Sequence, residues 1–393
     1  MKEKVHLILD KRRVILKEAN EKNKFKNIRR KKIYNSITLS REQEKKIDNI
    51  YINNYGDKIP YIWHKYYTAY TGNFDEYYFP ELLYIPRFEY YMNYNKAYCS
   101  VFEDKSILPL LASNLGIKTP KAIITCSYGL FRNTKNEWIS KEKALSILYN
   151  IGNCFAKPTI DSDSGKGCIL LNLIEGYDTK SDLKIEKIID NLGDNFVIQE
   201  IIKCHKTISD IYPNSVNTFR IITYRWKNEI LFTPSIMRIG RGGNYLDNAH
   251  AGGIFIAIDD DGQLHKTAFT EFCDKYDVHP DTNIIFEKCK IDLFPKVLET
   301  AKRMHTLMPQ VGVVNWDFTI DDNGEPILIE GNLLGGGIWV IQMAHGKGPF
   351  ENKTIEILNW LKIMKKVKPE DRDKYKFGNI PYENIDKIKE GKK

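Results

Sequence analysis

No run of apolar residues in this chain approaches the roughly 20 that a membrane-spanning helix needs, so no helical span is expected. The N-terminus, MKEKVHLILDKRR, is basic, but its apolar stretch is too short for a signal peptide and no cleavage site follows. Seven cysteines (Cys99, Cys126, Cys154, Cys168, Cys204, Cys273 and Cys289) are scattered, with no CxxC pair and no Cys/His pairing at zinc spacing. They read as reduced core residues, and nothing marks one out as a nucleophile. No helix-turn-helix, zinc-finger or RNP-type motif is present, so nucleic acid is not an expected partner. Together these absences lead to the expectation of a cytoplasmic protein.

A hydrophobic content of 42% and a charged content of 28% describe a globular chain, and 393 residues are long for one core, so two or three packed lobes are expected. The net charge of +8 is uneven: residues 1–50 carry sixteen Lys/Arg against seven Asp/Glu, or +9, which leaves −1 for the rest. This basic arm reads as helix with Val5, Leu7, Ile8, Val14, Ile15 and Leu16 as its apolar residues. It is either a solvated helical face or a contact to an anionic surface, the inner face of the membrane included. Residues 51–98 hold thirteen of the 23 tyrosines. Rings at such density are expected to pack against one another with tethered hydroxyls, in preference to stacking on sugars.

The stretch VGVVNWDFTIDDNGEPILIEGN, Val311 to Asn332, carries the clearest chemistry. Two apolar runs flank Asn323-Gly324, a two-residue hairpin signal. With that loop, Asp322 faces Glu325, Ile320 faces Ile327, Thr319 faces Leu328, Asp317 faces Glu330 and Asn315 faces Asn332. Directly opposed carboxylates repel unless something positive sits between them. A divalent cation held by Asp317, Glu330 and Asn332 would supply it, and magnesium suits such oxygen ligands. The alternative is a hairpin whose carboxylates sit at its solvated mouth.

Cationic residues recur elsewhere. Asp104 opens an apolar-periodic run, Ser106 to Leu115, which places Lys105 in the first turn of a helix, followed by strand Lys121 to Cys126. Lys157 ends an apolar strand, Cys154 to Lys157, where an ammonium needs an anionic partner. The loop after it, DSDSGKG, has glycines that admit close approach of backbone N–H groups to phosphate, but Lys166 is followed by Gly167 and the spacing is not that of a Walker A loop. NFVIQEII, Asn195 to Ile202, reads as a buried strand. Asn217 to Tyr224 and Ile230 to Ile239 are two more, carrying Arg220 and Arg238. A glycine-rich connection then holds Asn248 and His250 before strand Ile254 to Ile258. His250 is either a hydrogen-bonded loop residue or a base. Residues 291–308 and 352–365 are helical, and Gly335-Gly336-Gly337 reads as a flexible connection.

In this order, Asp104-Lys105 before GIKTP, Lys157 before SGKG, VIQEII, NTFRIIT, DNAHAGGI and WDFTIDDNGEPILIEGN resemble the sugar-transfer-associated branch of the ATP-grasp superfamily over about residues 85–360. The resemblance implies an α+β ATP-grasp fold, two lobes sandwiching a nucleotide, a first over 99–200 and a second over 201–366. The basic and tyrosine-rich helical region over 1–98 is an N-terminal helical extension in which this chain departs from the family's pattern, and residues 367–393 are a charged tail. It further implies ATP and Mg2+ as cofactors. Lys105, Lys157, Ser164, Gly165, Lys166 and Gly167 would meet phosphates, and Gln199, Glu200, Ile201 and Ile202 the adenine. Asp317, Glu330 and Asn332 fall on the magnesium positions. Arg220 and Arg238 would hold the transferring phosphoryl group, and Asn217, Asn248 and His250 the acceptor side. The expected activity is a carboxylate–amine ligase acting through an acyl-phosphate, joining an amino acid or small amine to an acidic sugar of a surface polysaccharide. The alternatives are a phosphotransferase acting on a sugar hydroxyl and a non-catalytic nucleotide- or sugar-binding component of polysaccharide assembly.

Overall fold

The computed structural model describes the backbone of residues 2–160 and 165–381, and side chains from residue 8 onward. Ser164, with the three residues before it in the DSDSGKG loop, lies outside the described residues. Two antiparallel sheets organise the chain. The first has strands β1 (Ala122–Ser127), β2 (Leu130–Arg132), β3 (Trp138–Ile139), β4 (Gly152–Pro158), β5 (Ile169–Ile174), β6 (Tyr177–Asp178) and β7 (Phe196–Glu200), in the order β3-β2-β1-β7-β4-β5-β6. The second has β8 (Thr218–Trp226), β9 (Glu229–Phe232), β10 (Ser235–Ile239), β11 (Ile254–Ile258), β12 (Ala268–Phe269), β13 (Lys275–Tyr276), β14 (Val313–Ile320) and β15 (Pro326–Asn332). Its order is β13-β12-β11-β10-β8-β14-β15, with β9 against β8.

Each sheet buries one face under amphipathic helices. Helices Lys141–Leu148 and Ile185–Leu192 close the first core, whose sheet residues include Ile124, Cys154, Ala156 and Ile198. Helix Phe294–Thr306 covers Phe219, Ile221, Trp316 and Phe318 of the second sheet. The opposite face of that sheet is divided along its length. Ile222, Tyr224, Ile236 and Val313 share a core with the N-terminal helices and with helix Thr354–Met364. Period-two alternation puts Arg220 on the same side as Ile222, and Asp317 pairs directly with Arg220. One face therefore serves as hydrophobic floor at one end and as a charged surface at the other.

The expected packing of the tyrosine-rich segment holds: Tyr51, Tyr66, Tyr67, Tyr70, Tyr78 and Tyr84 are fully buried. The Tyr70 hydroxyl donates to the Glu271 carbonyl at 2.7 Å and Tyr78 to that of Asn73 at 2.7 Å. Residues 96–113 and the segment around Phe377 also pack into the cores of the second sheet, so the first sheet's own core begins only at Ile123.

Several local expectations are corrected. Lys105 is not in the first turn of a helix: helix Lys96–Glu103 ends before it, helix Leu108–Ser113 starts after it, and the Asp104 carboxylate accepts from Ser106 N in the turn between. The run Ile230 to Ile239 is two strands, because Thr233-Pro234 interrupts pairing. The strand expected to reach Ile202 ends at Glu200. Gly335-Gly336-Gly337 is held and not flexible. Glu103 Oε1 accepts from Leu333 N and Leu334 N (2.6 and 2.8 Å), Glu89 Oε1 from Gly335 N (2.8 Å) and Glu81 Oε1 from Ile338 N (2.6 Å). A Cβ on Gly336 would stand 2.3 Å from Asn315 Nδ2, so only glycine fits.

Burial pushes the Glu81 carboxyl up to about 8 against the opposing pull of Lys24 and the Ile338 N–H, and does the same to Glu89 against the Gly335 N–H. An acid whose folded pKa exceeds its unfolded value of about 4.3 holds its proton more tightly when folded, so its stabilising contribution is full below that pH and fades as pH rises through 8. Thermal melts taken from pH 5 to pH 8.5 are expected to show this decline. The double substitution Glu81→Gln/Glu89→Gln should flatten it, and an unchanged slope would show that both carboxyls are ionised in the folded protein.

Candidate active site

The hairpin comes first because its register decides the site. Asn315 pairs with Asn332 and Asp317 with Glu330, as the sequence predicts, but Phe318 pairs with Leu328, Thr319 with Ile327 and Ile320 with Pro326. The turn is one residue longer than expected. Asp321 N donates to the Glu325 carbonyl at 2.9 Å, and Asp321 Oδ1 caps Asn323 N and Glu325 N, with Gly324 at φ +81°. The extra residue is absorbed at Ile329, where a β-bulge separates Leu328 from Glu330. Leu328 thus stays in the core and Glu330 returns to face Asp317.

The positive charge expected between these carboxylates is provided by the protein itself. Arg220 grips Asp317 with Nε to Oδ1 at 2.5 Å and Nη2 to Oδ2 at 3.0 Å, and Arg238 Nη2 reaches Oδ2 at 2.9 Å. Lys105 Nζ lies 3.4 Å from Glu330 Oε2. Burial pushes the Glu330 carboxyl up, but Lys105 and Lys157 more than reverse this and hold it at about 2. Lys157 is 6% exposed in β4; burial lowers its pKa, with Glu330 as the strongest opposing charge. Arg238 is tied further by Nη1 to Asn248 Oδ1 at 3.0 Å, by Nε to Thr218 Oγ1 at 2.9 Å and by its ion pair with Asp247. Burial raises the Asp247 pKa while Arg238 opposes the shift.

These groups line a cavity of about 490 Å³ between the two sheets. Phe155, Leu170, Ile201, Ile202 and Leu246 give it apolar wall as well. Lys105, Lys157, Gly165, Gln199, Glu200, Arg238, Asn248, Asp317 and Glu330 all line it. Arg220 stands behind Asp317, and Asn332 is next to Glu330, its Nδ2 donating to Glu330 Oε1 at 3.3 Å. Lys166 and Gly167 follow Gly165 on the exposed side.

Two expected residues stand apart from the cavity. Asn217 is fully buried, its Nδ2 donating to the carbonyls of Tyr212 (2.9 Å) and Ile208 (3.3 Å) and its Oδ1 accepting from Ser215 Oγ and Gly240 N (2.7 and 3.1 Å). With its hydrogen-bonding capacity consumed, it fastens the entry to β8 and does not meet a ligand. His250 is 57% exposed, with Nδ1 2.7 Å from Glu271 Oε2, and Glu271 is also held by Arg30. A carboxylate only accepts, so Nδ1 carries the proton in that contact.

Sequence reading missed Thr218, Asp247 and Asn315. Asp247 lies in the glycine-rich stretch beside Asn248, a usable signal. Asn315 Oδ1 is buried with no hydrogen-bond partner among the described residues.

The oxygen donors fit a hard divalent cation. Glu330 lies 3.4 Å from Lys105 Nζ and 3.3 Å from Asn332 Nδ2, Asn332 adds an amide oxygen, and Asn315, directly opposite Asn332, has a buried amide oxygen. Asp317 fits in part: Oδ2 is occupied by both arginines, leaving a lone pair on Oδ1.

Among solved structures, the chain resembles the ADP complex of the N5-carboxyaminoimidazole ribonucleotide synthetase purK (12% identity over 61% of this chain and 46% of that one, TM-score 0.36). It also resembles the VanG D-Ala:D-Ser ligase from Enterococcus faecalis (12%, 67% and 62%, TM-score 0.38) and the ATP-grasp ligase PsnB with a minimal precursor (12%, 70% and 63%, TM-score 0.38). The match spans about half the length of the first of these. No curated protein matches the sequence. The model of the sugar-transfer-associated ATP-grasp family matches residues 86–356, and with its α+β sheets and inter-sheet cavity the chain belongs to that family.

Proposed function

We propose that the protein is an ATP-dependent ligase that activates a carboxylate as an acyl-phosphate and passes it to an amine, the carboxylate being that of an acidic sugar in surface-polysaccharide synthesis and the amine an amino acid or small amine. The observation that carries this reading is the make-up of the cavity wall: apolar side chains, Ile201 and Ile202 among them, together with two lysines and a guanidinium converging on paired carboxylates. That is the charge distribution a nucleoside triphosphate requires.

The base would lie against Ile201 and Ile202 and the phosphates toward Lys105, Lys157 and the Gly165 to Gly167 turn. Magnesium on Glu330, Asn332 and Asp317 Oδ1 would neutralise phosphate charge. Arg238 has one Nη1 hydrogen left after its contacts with Asn248, Thr218 and Asp317, and it aims at charge developing on the transferred phosphoryl group. Asn248 marks the acceptor side of the wall.

Calorimetry tests the nucleotide site. Micromolar, magnesium-dependent ATP binding is expected in the wild type and should weaken by roughly tenfold or more, about 1.4 kcal/mol, in Glu330→Gln. Magnesium-indifferent binding that the substitution leaves alone would count against the metal assignment. Mass analysis of products from uronic acids and amines then decides the chemistry: an amide with ADP supports the ligase, whereas a sugar phosphorylated on a hydroxyl would replace it with a phosphotransferase.

A further inference from the structure

From residue 8 onward the first helix, Lys2–Lys24, turns one face toward the rest of the protein. Val14 is buried, the Arg13 guanidinium lies over the Tyr90 ring, Asp10 pairs with Arg372 at 2.6 Å, Glu18 with Arg87 at 2.8 Å and Glu21 with Lys24 at 2.8 Å. These residues recur at helical spacing and take every acidic side chain from residue 8 onward in the helix toward the protein. The outward face holds what is left. Ile8, Leu9, Ile15 and Leu16 are between 57% and 66% exposed, and the charged side chains beside them, Lys11, Arg12 and Lys22, are all basic. At 100° per residue the four aliphatic residues and Arg12 fall within a 120° arc, with Lys11 and Lys22 along one flank.

Singly exposed aliphatic residues are ordinary on a protein surface, but four within nine residues on one helix face form a patch. We infer that this face is a docking surface for an anionic membrane. Aliphatic side chains bury shallowly at the headgroup boundary while Lys and Arg stems reach back to lipid phosphates, and a helix lying flat in the interface needs an apolar face free of acids. A second copy of the chain fits less well, because a two-fold contact through this face would bring both Arg12 guanidiniums into the middle of the apolar patch. The inference stands apart from the ligase reading, since the helix contributes nothing to the cavity wall. No helix among the described residues is long and apolar enough to cross a membrane, so the attachment would be peripheral.

The full-length protein would be sedimented with phosphatidylcholine vesicles, with and without phosphatidylglycerol. Binding is expected only to the anionic vesicles and should weaken as salt shortens the Debye length. Ile15→Glu/Leu16→Glu and Lys11→Glu/Arg12→Glu should each lower the bound fraction by roughly tenfold or more. Their melting temperatures and ATP binding should match the wild type, because the altered side chains are exposed. Equal binding to neutral vesicles, or binding that neither double variant alters, would overturn the proposal. So would a dimer in light scattering that the variants dissociate while no vesicle binding is seen.

Discussion

Lys157→Met is expected to weaken MgATP binding about 100-fold, a loss of about 2.7 kcal/mol, while changing the melting temperature of the nucleotide-free protein little. The two effects diverge because of where the ammonium sits. β4 carries it into the cavity wall between Ala156 and Pro158, pairing with Val197 of β7, and burial depresses its pKa. In the empty protein the desolvated ammonium is a cost that an apolar side chain of similar length removes, against the loss of one of the cations facing Glu330, where Lys105 and Arg238 remain. With nucleotide bound, the same ammonium would meet phosphate through charge-assisted hydrogen bonds. Calorimetry and a thermal melt on the same preparation test both halves. A fall in melting temperature without a fall in affinity would assign Lys157 to the fold and remove it from the phosphate site.

Arg238→Ala is expected to act in the opposite sense, destabilising the protein by about 3–5 kcal/mol as well as abolishing turnover. Its guanidinium joins Asp317, Asp247, Thr218 and Asn248, which come from three separate segments of the second sheet and its loops. Removing it leaves two buried carboxylates facing each other, Asp317 with Arg220 alone and Asp247 with only the Thr218 N–H and hydroxyl. Arg238→Lys should restore charge without the planar fork and recover only part of the stability. Urea unfolding of the three proteins measures this. A loss under about 1 kcal/mol for the alanine variant would place the cluster among ordinary solvated ion pairs.

The sequence made the second sheet legible where local and tertiary preferences agree. β11 falls on Ile254–Ile258, the residues its apolar run indicates, and the Asp317–Glu330 and Asn315–Asn332 pairs follow from counting back from Asn323-Gly324. The count reaches the right pairs through two compensating departures, a longer turn and the bulge, neither of which leaves a periodic trace. The arginines on Asp317 were visible as cations in strands, but not as its partners, since the β8–β14 pairing brings together residues nearly a hundred apart. Asn217 misled for a related reason: its position before β8 suggested a ligand contact, and only the packing of residues 205–217 shows its amide to be spent. The grip of Glu81, Glu89 and Glu103 on the loop after Asn332 joins segments more than 200 residues apart, which no local pattern records.

The bulge at Ile329 gives the hairpin a tolerance to changes in length. Removing one residue from the 322–324 loop leaves Asp321 opposite Glu325 across a two-residue turn, and removing Ile329 takes out the bulge and brings Glu330 into its place, still opposite Asp317. Deleting both gives a regular ladder with the carboxylates still opposed. A change of one residue at the tip of this hairpin therefore needs no matching change in β15 for the charge pair at its base to persist.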